Sequence, residues 1–197
     1  MKKIYFLLLA VLVAATAWSK TTTWIGGVNS NWDNPANWDN GVPATDDIVI
    51  FPTNVSGTIN RVAQGGDLSL FRLSILGNSN IRFVATGARL ITIKNGTGDD
   101  FVIETDARLS VGNNVSITLA SGTGANPTRA TIDGTLVIEP NRSFDSDNNN
   151  VLTTVTGTIE NTGTVLGTSA RMRFETGSNY FHTRNGGSIP RANWDAA

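Results

Sequence analysis

The strongest constraint on this 197-residue chain is a recurrence. A small or polar residue followed by an apolar strand start appears in Gly87-Ala88-Arg89-Leu90 and Asp106-Ala107-Arg108-Leu109. It returns in Gly134-Thr135-Leu136, Gly157-Thr158-Ile159 and Gly177-Ser178-Asn179-Tyr180. Positions 90, 109, 136, 159 and 180 stand 19, 27, 23 and 21 residues apart, a mean of (180 − 90)/4, or 22.5. In a chain with no long helical pattern, such a period is the mark of a solenoid. Each coil cannot bury its apolar face alone and must stack on its neighbours. The unequal spacing places insertions in the turns, most visibly over Ala120 to Thr128.

Within each period the runs alternate. Val115-Ser116-Ile117-Thr118-Leu119 sets three apolar side chains on one face and two hydroxyls on the other. Alternation predicts that Ile91, Ile93, Val111, Ile117, Leu136, Ile138, Ile159 and Phe174 are buried. It turns Ser116, Thr118, Arg173 and Glu139 outward. Longer runs, Leu68 to Leu76 and Val151 to Glu160, read as strands too. The predicted fold is all-β, a right-handed parallel β-helix. An antiparallel β-sandwich is the alternative, and it would need two-residue Asn-Gly or Asp-Gly hairpin turns, for which Asp133-Gly134 is the one candidate.

Three segments follow. Residues 1–19 have the form of a secretory signal peptide, with Lys2 and Lys3 before the apolar run Ile4 to Val13 and small residues after it, so cleavage is expected near Ala17 or Ser19. Residues 20–45 form a cap built on Trp24, Trp32 and Trp38, whose spacers are rich in Asn, Asp, Gly and Pro. Asp33 and Asp39, each following a tryptophan, suggest a repeated turn in which the carboxylate bonds its local backbone. Residues 46–197 are the coils. Without a cap-like sequence at the carboxy end, the chain is expected to be a fragment that stops in mid-coil.

Charge and composition exclude several classes. Without Lys2 and Lys3 the balance is 13 basic against 16 acidic, a mild net charge of −3, and the 11 arginines are scattered singly. Nucleic acid is therefore not an expected partner, and no membrane span is expected once the leader is cleaved. With no cysteine, disulfides, thiolate catalysis and Cys-ligated zinc are excluded. An exported chain without disulfides fits a protein secreted by a Gram-negative bacterium or held on its outer-membrane surface.

The pattern Trp24-x-Gly26, Ser30-x-Trp32, Asn37-Trp38 and Gly41-x-Pro43, followed by Asp46-Asp47-Ile48, resembles the amino-terminal segment of large exported surface proteins of Bacteroidota. Many of these end in a type IX secretion sorting domain. The stretch Tyr180-Phe181-His182 through Gly186-Gly187-Ser188-Ile189-Pro190 to Trp194 resembles a coil that recurs along such proteins. The resemblance implies a parallel β-helix body, export and surface display, and no defined activity.

No catalytic constellation is visible, and no cofactor or metal site is assigned. His182 is the single histidine, so any Ser-His-Asp triad would have to use it. Asp46-Asp47 and Asp99-Asp100 are adjacent pairs, and neighbours on a strand point to opposite faces, so neither pair alone can flank a sugar. Asp145 to Asn150 looks like an acidic calcium loop but lacks the glycine at its sixth position and has Thr156 where a glutamate is needed. Trp24, Trp32, Trp38 and Trp194 can either stack on sugars or pack in the cap. The expected function is a non-enzymatic segment of an exported, adhesin-like surface protein. It would act as a structural spacer that contacts surface polysaccharide or another cell-surface protein. The alternative is a fragment of a β-helix polysaccharide lyase or hydrolase.

Overall fold

The computed structural model describes residues 19–94 and 96–195; the expected leader lies outside them but for Ser19. The chain winds through three parallel sheets, visiting each once per coil. The first face has eight strands in the order β1 (Thr21–Thr23), β2 (Ile48–Phe51), β5 (Arg72–Ile75), β8 (Phe101–Ile103), β11 (Thr128–Ile132), β14 (Val151–Val155), β17 (Met172–Phe174) and β19 (Asn193–Trp194). The second face stacks β3 (Ser56–Ile59), β6 (Asn80–Phe83), β9 (Arg108–Val111), β12 (Thr135–Ile138), β15 (Thr158–Asn161) and β18 (Asn179–His182). The third stacks β4 (Leu68–Leu70), β7 (Arg89–Ile93), β10 (Val115–Leu119), β13 (Ser143–Asp145) and β16 (Thr164–Leu166). Every strand pair is parallel, so the solenoid and not the sandwich is the fold.

Inward positions form ladders along the axis. On the first face Phe51, Ile75, Ile103, Ile132, Val155 and Phe174 lie in exact register, and Trp194 follows Phe174. All eight residues expected in the core are buried. Ser116, Thr118, Arg173 and Glu139 lie at the outward positions of the alternation, each at least partly exposed. Each fully buried Ile, Leu or Phe contributes about 1.5–3 kcal/mol, so a ladder of this length sets the register of the whole face.

Two expectations are corrected. Leu109, Leu136, Ile159 and Tyr180 do stack in register, but the residue beneath Leu109 is Ile81, not Leu90. Leu90 belongs to the third face and points outward, with 36% of its surface exposed. Asp133-Gly134 is not a hairpin turn but a corner between β11 of the first face and β12 of the second. A Cβ on Gly134 would overlap the Ala107 and Glu104 carbonyl oxygens of the coil below, so only glycine lets the coils close up at that corner. The runs Leu68 to Leu76 and Val151 to Glu160 likewise each bend from one face to the next, at Phe71 and at Thr156-Gly157.

Candidate functional site

The three cap tryptophans are buried to within a few per cent and form one aromatic plug. Trp38 meets Trp24 edge-on at 5.0 Å and Trp32 edge-on at 4.8 Å, and Phe51 and Phe83 of the first coils receive them. The Trp38 indole Nε1 donates to the Trp32 carbonyl at 2.7 Å, so that buried N–H is satisfied within the plug. A short 3-10 turn, Pro35–Asn37, starts under the Asn34 side chain, which accepts from the Ala36 N–H. Buried Asn37 ties the cap loop together. It accepts from the Val28 and Asn29 N–H groups and donates to the Asn31 carbonyl.

The repeated-turn reading of Asp33 and Asp39 fails. Asp39 accepts from the Thr23 N–H, 16 residues back, and Asp33 pairs with Arg61 at 2.9 Å. Asp39 ties the cap to its own first strand, Asp33 joins the cap to the body, and the asparagines make the local turns.

The other singled-out residues are dispersed. Asp46 pairs with Lys94, while Asp47 accepts from the Lys20 and Ala44 N–H groups. Asp99 accepts from the Thr131 hydroxyl. Asp100 is buried and accepts from the Arg129 and Gly96 N–H groups. Burial raises its carboxyl above the ordinary aspartate value, and those two hydrogen bonds oppose the rise. In the 145–150 loop the Arg171 guanidinium holds Asp147 at 2.6 Å and Asn149 at 3.0 Å, so these two side-chain oxygens are engaged by an arginine. Half-buried His182 contacts the Gly186 carbonyl through Nε2 at 3.0 Å. Trp194, unlike the cap tryptophans, is 45% exposed and stacks on Phe174 at 4.1 Å.

The built polar feature lies on the outer wall of the second face. Arg82 and Glu139 form a bidentate pair, as do Arg108 and Glu160. Each pair skips a coil, because the partners are 57 and 52 residues apart in sequence. The pairing raises the pKa of both arginines and holds the Glu160 carboxyl below its ordinary value. Beside the first clamp is an open groove of about 730 Å3, lined by Asn31, Asn60, Arg61, Arg82, Asn113 and Glu139 among others. The signal for the clamps is an outward Arg and a Glu two coil periods apart, which no short motif reports.

Uncharged amides and closed ion pairs in a shallow groove can exchange hydrogen bonds with a hydroxyl-rich ligand. No group of three or more His, Cys, Asp or Glu side chains able to hold a metal occurs among the described residues. No helix among them is long and apolar enough to cross a membrane. No family model matches the chain, and neither a curated protein nor a solved structure matches it.

Proposed function

We propose that the chain is a non-enzymatic segment of an exported, adhesin-like cell-surface protein, a β-solenoid spacer whose wall contacts surface glycan. The observation that carries this reading is the state of the wall carboxylates. Glu139 and Glu160 are each closed on an arginine in a two-pronged pair, and the groove beside the Glu139 pair carries the amides of Asn31, Asn60 and Asn113. Closed pairs and amides suit binding of a neutral, hydroxyl-rich chain. Export rests on the leader pattern in residues 1–19 and on the absence of cysteine.

The lyase or hydrolase alternative keeps one favourable feature, two carboxylates with two arginines on neighbouring coils of one wall. It would require at least one of those pairs to open on substrate. One experiment separates the readings. The purified chain is passed over immobilised neutral polysaccharides, and the same polysaccharides are assayed for new reducing ends or unsaturated products. Retention that Asn113→Ala weakens, without product, supports the spacer. Product formation that Glu139→Gln or Glu160→Gln abolishes would replace it with the enzyme.

A further inference from the structure

At the amino-terminal end of the solenoid, three sheet edges need covering, and the cap together with Asp46, the residue that follows it, covers two of them. On the first face β1 is outermost. Its outward main chain is bonded by Asp39 and Asn40, through the Asp39 N–H to the Thr23 carbonyl and the Asn40 amide to the Thr21 carbonyl. On the third face β4 is outermost, and the Asp46 N–H fills its Ser69 carbonyl. On the second face β3 is outermost and only its far end is closed. Asn60 donates to the Ser30 carbonyl and accepts from the Trp32 N–H.

Among the described residues the rest of that edge is open. Val55 and Ile59 direct their carbonyls to β6, accepting from Asn80 and Val84. Main-chain direction alternates along a strand, so Ser56 and Thr58 point the other way, toward the free side. Among the described residues no cap segment bonds the main chain of Ser56 or Thr58. Beside them lies a space of about 310 Å3, walled on its far side by Ile25, Gly26, Asn29 and Ser30. Its lining carries no charged residue. Ile25 and Val28 of the adjoining loop are 58% and 65% exposed. Open edges are usually blunted by Lys, Pro or a bulge, and Ser56-Gly57-Thr58 has none of these.

We infer that the open edge of β3 is a strand-addition site that takes an extended, uncharged peptide segment of a partner protein. The partner's main chain would complete the ladder at Ser56 and Thr58, and alternate apolar side chains would cover Ile25 and Val28. The uncharged lining selects against a charged segment. This inference stands apart from the glycan groove and from export.

The test uses the purified chain and the blocked hexapeptide acetyl-Val-Thr-Val-Ser-Val-Thr-amide, titrated by amide NMR. Saturating shifts are expected at the Ser56 and Thr58 amides. Two N-methylated series are compared, with alternate amides blocked in each. One series is expected to bind about tenfold more weakly, the scale of losing a main-chain hydrogen bond or two, and the other to bind as the parent does. Ile25→Lys and Val28→Lys, both at exposed positions, are expected to weaken binding by a similar factor. Thr58→Pro removes an outward N–H and is expected to abolish it; if that variant does not fold, the two lysine variants carry the test. Equal binding by both methylated series would overturn the proposal, as would shifts confined to the strands at the other end, β16, β18 and β19. So would displacement by a neutral oligosaccharide, or a dimer that forms through β3 without peptide.

Discussion

Arg82 grips Glu139 with two hydrogen bonds of 2.5 and 2.6 Å across an entire intervening coil, and the residue under the clamp is Gly112. A Cβ at Gly112 would lie 2.8 Å from the Phe83 carbonyl oxygen, 3.0 Å from Glu139 Oε2 and 3.1 Å from Arg82 Nε. The glycine therefore lets the pair lie flat on the wall.

This predicts an order of effects. Gly112→Ala forces main chain and clamp apart and is expected to cost about 1–3 kcal/mol, the scale of overpacking. Arg82→Met removes a partly exposed pair and is expected to cost about 1 kcal/mol or less. Urea denaturation midpoints check the order. A larger loss for Arg82→Met would mean that the clamp itself holds the coils together.

The two kinds of tryptophan should separate in the same assay. Trp32→Ala empties the centre of the amino-terminal plug and is expected to cost about 3–5 kcal/mol. Trp194 is nearly half exposed on the last strand, so Trp194→Ala is expected to cost well under half as much. If Trp32→Ala left stability unchanged but removed polysaccharide retention, the plug would have to be reassigned as a sugar-reading surface.

Acid should act on two carboxyls with opposite signs. The hydrogen bonds from Arg108 depress the Glu160 pKa in the folded chain, against a smaller opposing effect of burial. The unfolded chain then binds more protons in that window. The contribution of Glu160 is complete above the ordinary glutamate range and is lost as pH falls through the depressed folded value. Asp100 is raised by burial, so the folded chain takes up its proton first, and the stability an ionised Asp100 subtracts is recovered as pH falls from that raised value to below the ordinary aspartate value. Melting temperatures between about pH 7 and pH 3, spanning the carboxyl range, check both. The deficit of Glu160→Gln relative to the parent should shrink on acidification. A deficit that stayed constant would show that the pair contributes no proton-linked stability.

Asn161 occupies an inward position in the ladder that runs Ile59, Phe83, Val111, Ile138, and it is fully buried. Its amide nitrogen donates to the Tyr180 hydroxyl, while its Oδ1 has no partner among the described residues. An unsatisfied buried acceptor costs about 1–3 kcal/mol, so Asn161→Val is expected to raise stability by about 1 kcal/mol. A thermal melt lower than the parent's would show that the Tyr180 bond outweighs the orphaned oxygen.

The ladder through Leu109, Leu136, Ile159 and Tyr180 was legible in the sequence because strand alternation and coil period coincide at those residues. Leu90 misled because Gly87-Ala88-Arg89-Leu90 and Asp106-Ala107-Arg108-Leu109 have nearly the same local form on different faces. A three-sided coil offers three similar strand starts, and short-range pattern does not say which face a strand joins. The cap tryptophans were legible as bulk that must be buried. The clamps were not, because Arg82 and Glu139 meet only after two full coils have stacked. Nor was the open edge at Ser56 and Thr58, which depends on how far the cap reaches around the rim.

The registers Ala130 to Thr153 and Leu136 to Ile159 share one offset, 23 residues. A segment of that length, such as 128–150, is therefore a unit that can be removed or duplicated while the chain still returns to the same face. One residue inserted inside β12 would turn that strand's core residues outward and break contacts with both neighbours. The same insertion in the 120–127 loop would be absorbed at the corner. Such a chain lengthens through evolution, or under a designer's hand, by whole coils and corner loops and not by single steps within a strand.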